Sequence, residues 1–272
     1  MLAEHGEDGK ILGGGQTLVP MLGLRLVNPQ VLVDINRIPE LDFIDVSGGS
    51  LRMGALVRWH RIETDPAIAA AHPLLAHAIS HVAHYQIRSR GTWAGSSAHA
   101  DPAAEFPAVA VLCGAEFVLK SMRGTRILPA DEFFLGLLTT ALEPDEILCE
   151  VRFPPWPATR RWAFEEFAMR AGDFALGGVA LYIDKNSNGT GSCGIVAFGT
   201  GDSPQRRPDA EAFLAASNWS DSAIEAAAQI AADEAECNGD LHASADYRRA
   251  LIKTLIGRAL KRAWTIGSET RT

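Results

Sequence analysis

Gly13-Gly14-Gly15-Gln16-Thr17 follows a short apolar run, Lys10-Ile11-Leu12, and precedes Leu18, Met21, Leu22 and Leu26 at helical spacing. Glycines there let a backbone approach a ligand closely and adopt positive φ, and the free N–H groups at the start of a helix favour an anion. The layout is a phosphate cradle in outline. It is equally that of a tight turn, because there is no P-loop Lys-Ser/Thr pair and no GxGxxG spacing. A second run, Gly91-Thr92-Trp93-Ala94-Gly95-Ser96-Ser97, repeats the chemistry, with small hydroxyl side chains able to bond phosphate or polyol oxygens. Two such loops, far apart in the chain, suit a long bipartite ligand.

Downstream of the second loop lie His99, Asp101 and Glu105. If this stretch is helical, Asp101 and Glu105 share a side and suit a ribose or a polyol chain. The alternative is structural: Asp101-Pro102 resembles an N-cap followed by proline at the first helical position, with Glu105 in the first turn. His99 is a candidate because of its place in the loop region, and equally a structural histidine. His77, His81 and His84 recur at helical spacing and either bind zinc or line a polar helix face. The turn Arg170-Ala171-Gly172-Asp173-Phe174-Ala175 carries an aromatic that packs near a flat ring system if the second domain folds back over the ligand. Neither a GxSxG elbow nor an SxxK is present, so acyl transfer has little support.

Several classes are disfavoured by composition. The formal charge of −8 argues against binding to a nucleic-acid backbone. Cys113, Cys149, Cys193 and Cys237 form no short metal-ligand pair, so no metal site and no iron–sulfur cluster is expected in this chain. The longest apolar stretches, 106–113 and 175–183, fall short of the roughly 20 residues of a spanning helix, and the N-terminus shows no signal-peptide pattern. A cytoplasmic protein without membrane contact is expected.

The positioning elements follow from pattern. Strands are expected at 10–12, 31–35, 44–46 and 51–55, the last two as a hairpin beside a small parallel sheet, and helices at 59–64 and 73–87. An apolar stretch after Glu105 reads as a helix to about Leu112, followed by strands at 116–120, 126–128 and 147–153. Pro154-Pro155-Trp156-Pro157 marks a domain junction, since prolines so dense fit neither a helix interior nor a central strand. Beyond it come antiparallel strands at 163–169, 179–184 and 193–198, a hairpin turn at Asn186-Ser187-Asn188-Gly189, and alanine-rich helices from 209 to about 264. The domains are expected at 1–157, in subdomains of roughly 1–55 and 56–157, and at 158–272.

Taken together, several segments resemble the FAD-binding medium subunit of molybdenum hydroxylases, the family of the carbon-monoxide dehydrogenase and xanthine dehydrogenase flavoproteins. They are Leu12-Gly13-Gly14-Gly15-Gln16-Thr17-Leu18-Val19-Pro20, Ile87-Arg88-Ser89-Arg90-Gly91-Thr92-Trp93-Ala94-Gly95-Ser96-Ser97-Ala98-His99-Ala100-Asp101-Pro102-Ala103-Ala104-Glu105, the 170–175 turn and Asp240-Leu241-His242-Ala243-Ser244-Ala245-Asp246-Tyr247-Arg248-Arg249.

The resemblance implies an α+β fold: a two-subdomain FAD domain with a small parallel sheet, an antiparallel sheet and helices, then a C-terminal domain with a three-stranded antiparallel sheet and helices. It further implies FAD between the lobes, its pyrophosphate on Gly13, Gly14, Gly15, Gln16 and Thr17, with Thr92, Gly95 and Ser96 continuing the cradle and Glu105 on the ribityl chain. The implied partners are a small 2Fe–2S iron–sulfur subunit and a large molybdopterin-binding subunit, in a dimer of heterotrimers. Electrons would pass from the iron–sulfur clusters to NAD or another acceptor, with no catalytic side chain needed.

Two departures motivate an alternative, a docking or assembly subunit with impaired FAD binding. Ala94 stands where the family pattern has a glycine, and the chain begins inside what resembles the family's first helix.

Overall fold

The glycine run at 13–15 leaves the end of a parallel strand pair. In the computed structural model of the chain, which describes residues 1–186 and 190–265, β1 (Gly9–Leu12) runs parallel to β2 (Val31–Asp34), with Leu12 opposite Asp34. Parallel neighbours need a crossover, and the helix Leu18–Gly23 provides it.

Two compact units make up the chain: Met1–Asp101 with Cys113–Pro155, and Pro102–Leu112 with the chain from Trp156 onward. In the first unit the hairpin of β3 (Ile44–Ser47) and β4 (Ser50–Gly54) belongs to a separate sheet from the parallel pair, as expected. It opens a five-stranded antiparallel sheet, completed by β5 (Glu116–Ser121), β6 (Gly124–Pro129) and, after the small hairpin of β7 (Phe134–Gly136) and β8 (Thr139–Thr140), β9 (Ile147–Phe153). The order is β3-β4-β9-β5-β6. The reason is burial: Leu51 and Met53 on β4 are fully covered, opposite Phe153 and Val151 of β9, and the parallel pair offers no such apolar surface.

The expected helix over 73–87 is broken. Helices form at Pro73–Ile79 and Tyr85–Arg88, and between them Ala83 takes a left-handed φ of 43°. Arg88 holds the break, its Nη1 donating to the carbonyls of Val82 (3.0 Å) and Ala83 (2.8 Å). His77 and His81 remain neighbours, with ring centroids 5.3 Å apart, while His84 sits at the cap of the next helix. Among the described residues no three His, Cys, Asp or Glu side chains are arranged to hold a metal ion.

The second unit is a sheet of β10 (Arg161–Phe167), β11 (Gly177–Lys185), β12 (Gly191–Phe198) and the two-residue β13 (Gln205–Arg206), antiparallel in that order. β10 lies two residues earlier than its apolar pattern suggests, because its last partner is Phe167 against Gly177 and the chain must then turn. The helices Pro208–Ala215, Asp221–Asp233 and Ala245–Thr265 bury an alanine-rich core against the sheet, including Leu181, Ile195, Ala227, Ile256 and Leu260. The helix Glu105–Leu112 is buried on every side against β11 and β12, which is why it groups with this unit. Of the expected turn at 186–189, residues 187–189 lie outside the described residues. No described helix is long and apolar enough to cross a membrane.

Candidate functional site

At the end of β1 the chain turns through Gly15, whose φ of 72° lies in the left-handed region that glycine adopts at no steric cost. The following helix starts at once, with the Val19 N–H donating to Gly15 O and the Met21 N–H to Thr17 O, both at 3.1 Å. Among the described residues no backbone carbonyl accepts from the N–H groups of Gly14, Gly15, Gln16 or Thr17. Four adjacent donors are thus available to an anion, the chemistry a pyrophosphate requires.

The two glycine-bearing segments touch. A Cβ on Gly14 would lie 2.6 Å from the Arg90 carbonyl oxygen and 2.9 Å from the Gly91 Cα, so the first loop rests on the backbone of the second. Thr92 Oγ1 stands beside both: a Cβ on Gly13 would come within 3.6 Å of it, and one on Gly95 within 3.1 Å.

The second segment is less of a loop than its glycines suggest. Residues Trp93–His99 form a helix, and buried Thr92 caps it by accepting the Gly95 N–H at 3.1 Å. Trp93 anchors this helix, stacking on Phe117 and donating from Nε1 to Gly54 O at 2.6 Å. Ser96 is half-buried, whereas Ser97 turns inward and donates to Trp93 O at 3.0 Å. His99 ends the helix, and Ala100 follows in a left-handed conformation with φ 53°. His99 is therefore a helix length, roughly 10 Å, from Thr92, and Asp101 lies beyond the helix end.

Two residues not apparent from sequence join the loops. Asn36 Nδ2 donates to the carbonyls of Leu12 (3.2 Å) and Gly13 (2.9 Å), and its Oδ1 accepts from Arg58 Nη2 at 2.7 Å. Arg58 Nη1 in turn donates to Arg90 O. Burial, and then the neighbouring Arg90 charge, draw the Arg58 pKa below its ordinary value. A cation held against desolvation and a like charge gains from a nearby anion.

Glu105 and Phe174 belong to the second unit. The helix there starts at Glu105 itself, so Asp101 lies ahead of its cap position and the two carboxylates do not share a helix. Glu105 is 9% exposed, and its charge adds to burial in pushing the half-buried Glu166 of β10 up to about 8. Phe174 is 69% exposed on the turn after β10, close in sequence to exposed Phe167 and Met169. Apolar surface of this kind is available to a flat ring.

The residues of the first unit fit the phosphates of a dinucleotide flavin: a set of backbone donors, glycines where a side chain would intrude and a cation nearby. The family model described as the FAD binding domain in molybdopterin dehydrogenase matches residues 1–156, and that of the CO dehydrogenase flavoprotein C-terminal domain matches 162–263. The chain is 36% identical over 264 residues to the carbon monoxide dehydrogenase medium chain of Hydrogenophaga pseudoflava, covering 97% of this chain and 92% of that one. It is 38% identical over 257 residues to the nicotine 6-hydroxylase medium subunit of Paenarthrobacter nicotinovorans, covering 94% and 90%. A solved structure of carbon monoxide dehydrogenase from Hydrogenophaga pseudoflava, lacking the Mo-pyranopterin moiety of its cofactor, superposes with a TM-score of 0.94 at 38% identity, over 98% of this chain and 93% of that one.

Proposed function

Because the chain belongs to the FAD-binding medium-subunit family of molybdenum hydroxylases, we propose that it passes electrons from the iron–sulfur clusters of a partner subunit, through FAD, to NAD or another acceptor. Its cofactor is FAD, and its class is that of an oxidoreductase subunit. The partners in this reading are a small 2Fe–2S subunit and a large molybdopterin-binding subunit, assembled as a dimer of heterotrimers in the cytoplasm.

The observation that carries the site is the contact of Gly14 with the Arg90–Gly91 backbone, which supports a single cradle made from both glycine segments. In this reading the N–H groups of Gly14 to Thr17 hold the pyrophosphate, with Gly13 open to it, and Thr92, Gly95 and Ser96 extend the donor set. Arg58 offsets the phosphate charge. Glu105 meets the ribityl hydroxyls, Phe174 packs against the ring, and His99 and Asp101 meet the ligand beyond its phosphates. FAD, when bound, supplies two-electron and one-electron redox chemistry. The side chains hold and orient it, and none is required as an acid or base.

The test is co-expression with the neighbouring reading frames. A small protein with two cysteine clusters and a large molybdopterin-type protein should co-purify with the chain, and NAD or an artificial acceptor should reoxidise the substrate-reduced complex. Turnover of a small substrate by the isolated chain would instead make it a self-contained flavin oxidase and overturn the reading.

A further inference from the structure

One guanidinium in the second unit binds the Phe174 turn directly and, through Gly199, is tied to the segment that leads to Glu105. Arg248 is buried in the first turn of the helix Ala245–Thr265. Its Nη1 donates to the carbonyls of Leu176 (2.6 Å) and Gly199 (2.5 Å), and its Nη2 to Asp240 Oδ2 (2.6 Å). Leu176 closes the turn that carries Phe174, its N–H donating back to Phe167 O at 2.8 Å. Gly199 has a φ of 73°, and its N–H donates to Pro102 O at 2.8 Å, at the start of the segment that leads to Glu105. Gly199 also lies against the Phe174 turn, since a Cβ on it would come 3.0 Å from Ala175 O.

Asp240 aims the fork. Its Oδ1 accepts from the N–H groups of His242 (2.8 Å) and Ala243 (3.0 Å), which fixes the carboxylate before Arg248 reaches it. Those backbone bonds, with the Arg248 contact, hold its carboxyl down at about 2, so the carboxylate is charged at neutral pH.

We propose that Arg248 is a positioning residue for the flavin, fixing the Phe174 turn and the Glu105 segment in one geometry, with Asp240 holding the guanidinium in place. The inference rests on the assignment of Glu105 and Phe174 to FAD. A lysine cannot substitute, because one ammonium lacks the planar fork that serves two carbonyls and a carboxylate together.

The experiment uses the full chain as wild type, Arg248→Lys and Asp240→Asn, with Arg207→Lys as a control. Arg207 is also buried, but it donates to Glu234 O (3.3 Å) and Gln205 Oε1 (3.4 Å), away from both segments. FAD affinity, the visible circular dichroism of bound flavin, its midpoint potential and Tm are measured for each. Arg248→Lys should weaken FAD at least tenfold and alter the flavin spectrum and potential, Asp240→Asn should do so more mildly, and Arg207→Lys should lower Tm alone.

Flavin properties of Arg248→Lys indistinguishable from those of Arg207→Lys overturn the proposal. If Arg248→Lys does not fold, Asp240→Asn decides it, and an unchanged spectrum and affinity there likewise overturn it. A wild-type chain without saturable FAD binding removes the reading beneath it, whereas normal wild-type binding with unresponsive variants removes this inference alone.

Discussion

Ala94 departs from the glycine pair of the family pattern, yet its methyl is only 7% exposed and lies within the helix Trp93–His99, where alanine is favoured over glycine. The substitution Ala94→Gly should therefore leave FAD affinity within about threefold and cost roughly 0.5–1 kcal/mol of stability. A tenfold gain in affinity by titration would show that the site is impaired and favour the docking alternative. Gly13 and Gly14 separate ligand from fold in the opposite way. Gly13→Ala meets only Thr92 Oγ1 at an ordinary 3.6 Å, so it should weaken FAD while leaving Tm nearly unchanged. Gly14→Ala drives a methyl into the Arg90 carbonyl and should lower both. Equal effects on Tm from the two variants would contradict the geometry. The glycines were legible because each is a local statement about backbone freedom. Asn36 and Arg58 were not, since their role exists only once distant segments are brought together.

Among the elements, the short helix after Thr92 organises the second half of the cradle. Its signals were present in sequence, a threonine cap followed by small helix-compatible residues, but the glycines made the stretch read as a loop. The break between Pro73–Ile79 and Tyr85–Arg88 left no such signal: it depends on Arg88 reaching back to the carbonyls of Val82 and Ala83. Strand β9 matched its pattern residue for residue, whereas its neighbours β4 and β5 are set by tertiary burial. The tie between Asn36 and Arg58 belongs to this scale, because it fixes one loop against the other. Arg58→Ala should reduce FAD affinity about tenfold, equivalent to ~1.4 kcal/mol, with a further loss of salt sensitivity in the titration. Retention of full affinity would remove Arg58 from the site.

For the whole molecule, pH dependence follows from Glu166. Burial first, then the charge of Glu105, raises its pKa from 4.5 to about 8. The folded state therefore favours the protonated form: this contribution is fully present below the unfolded value and is lost as pH rises through about 8. Melts of the chain without added FAD should show Tm falling between pH 5 and 9 more steeply for wild type than for Glu166→Gln. Parallel curves would contradict the assignment.

The central claim, that this chain holds FAD, is tested most directly by titrating the purified wild-type chain with FAD and following flavin fluorescence and visible absorbance. Saturable binding of one FAD per chain, with resolved isoalloxazine bands, is the predicted result. A chain that is folded by circular dichroism yet shows no flavin bands and no saturable binding would contradict it.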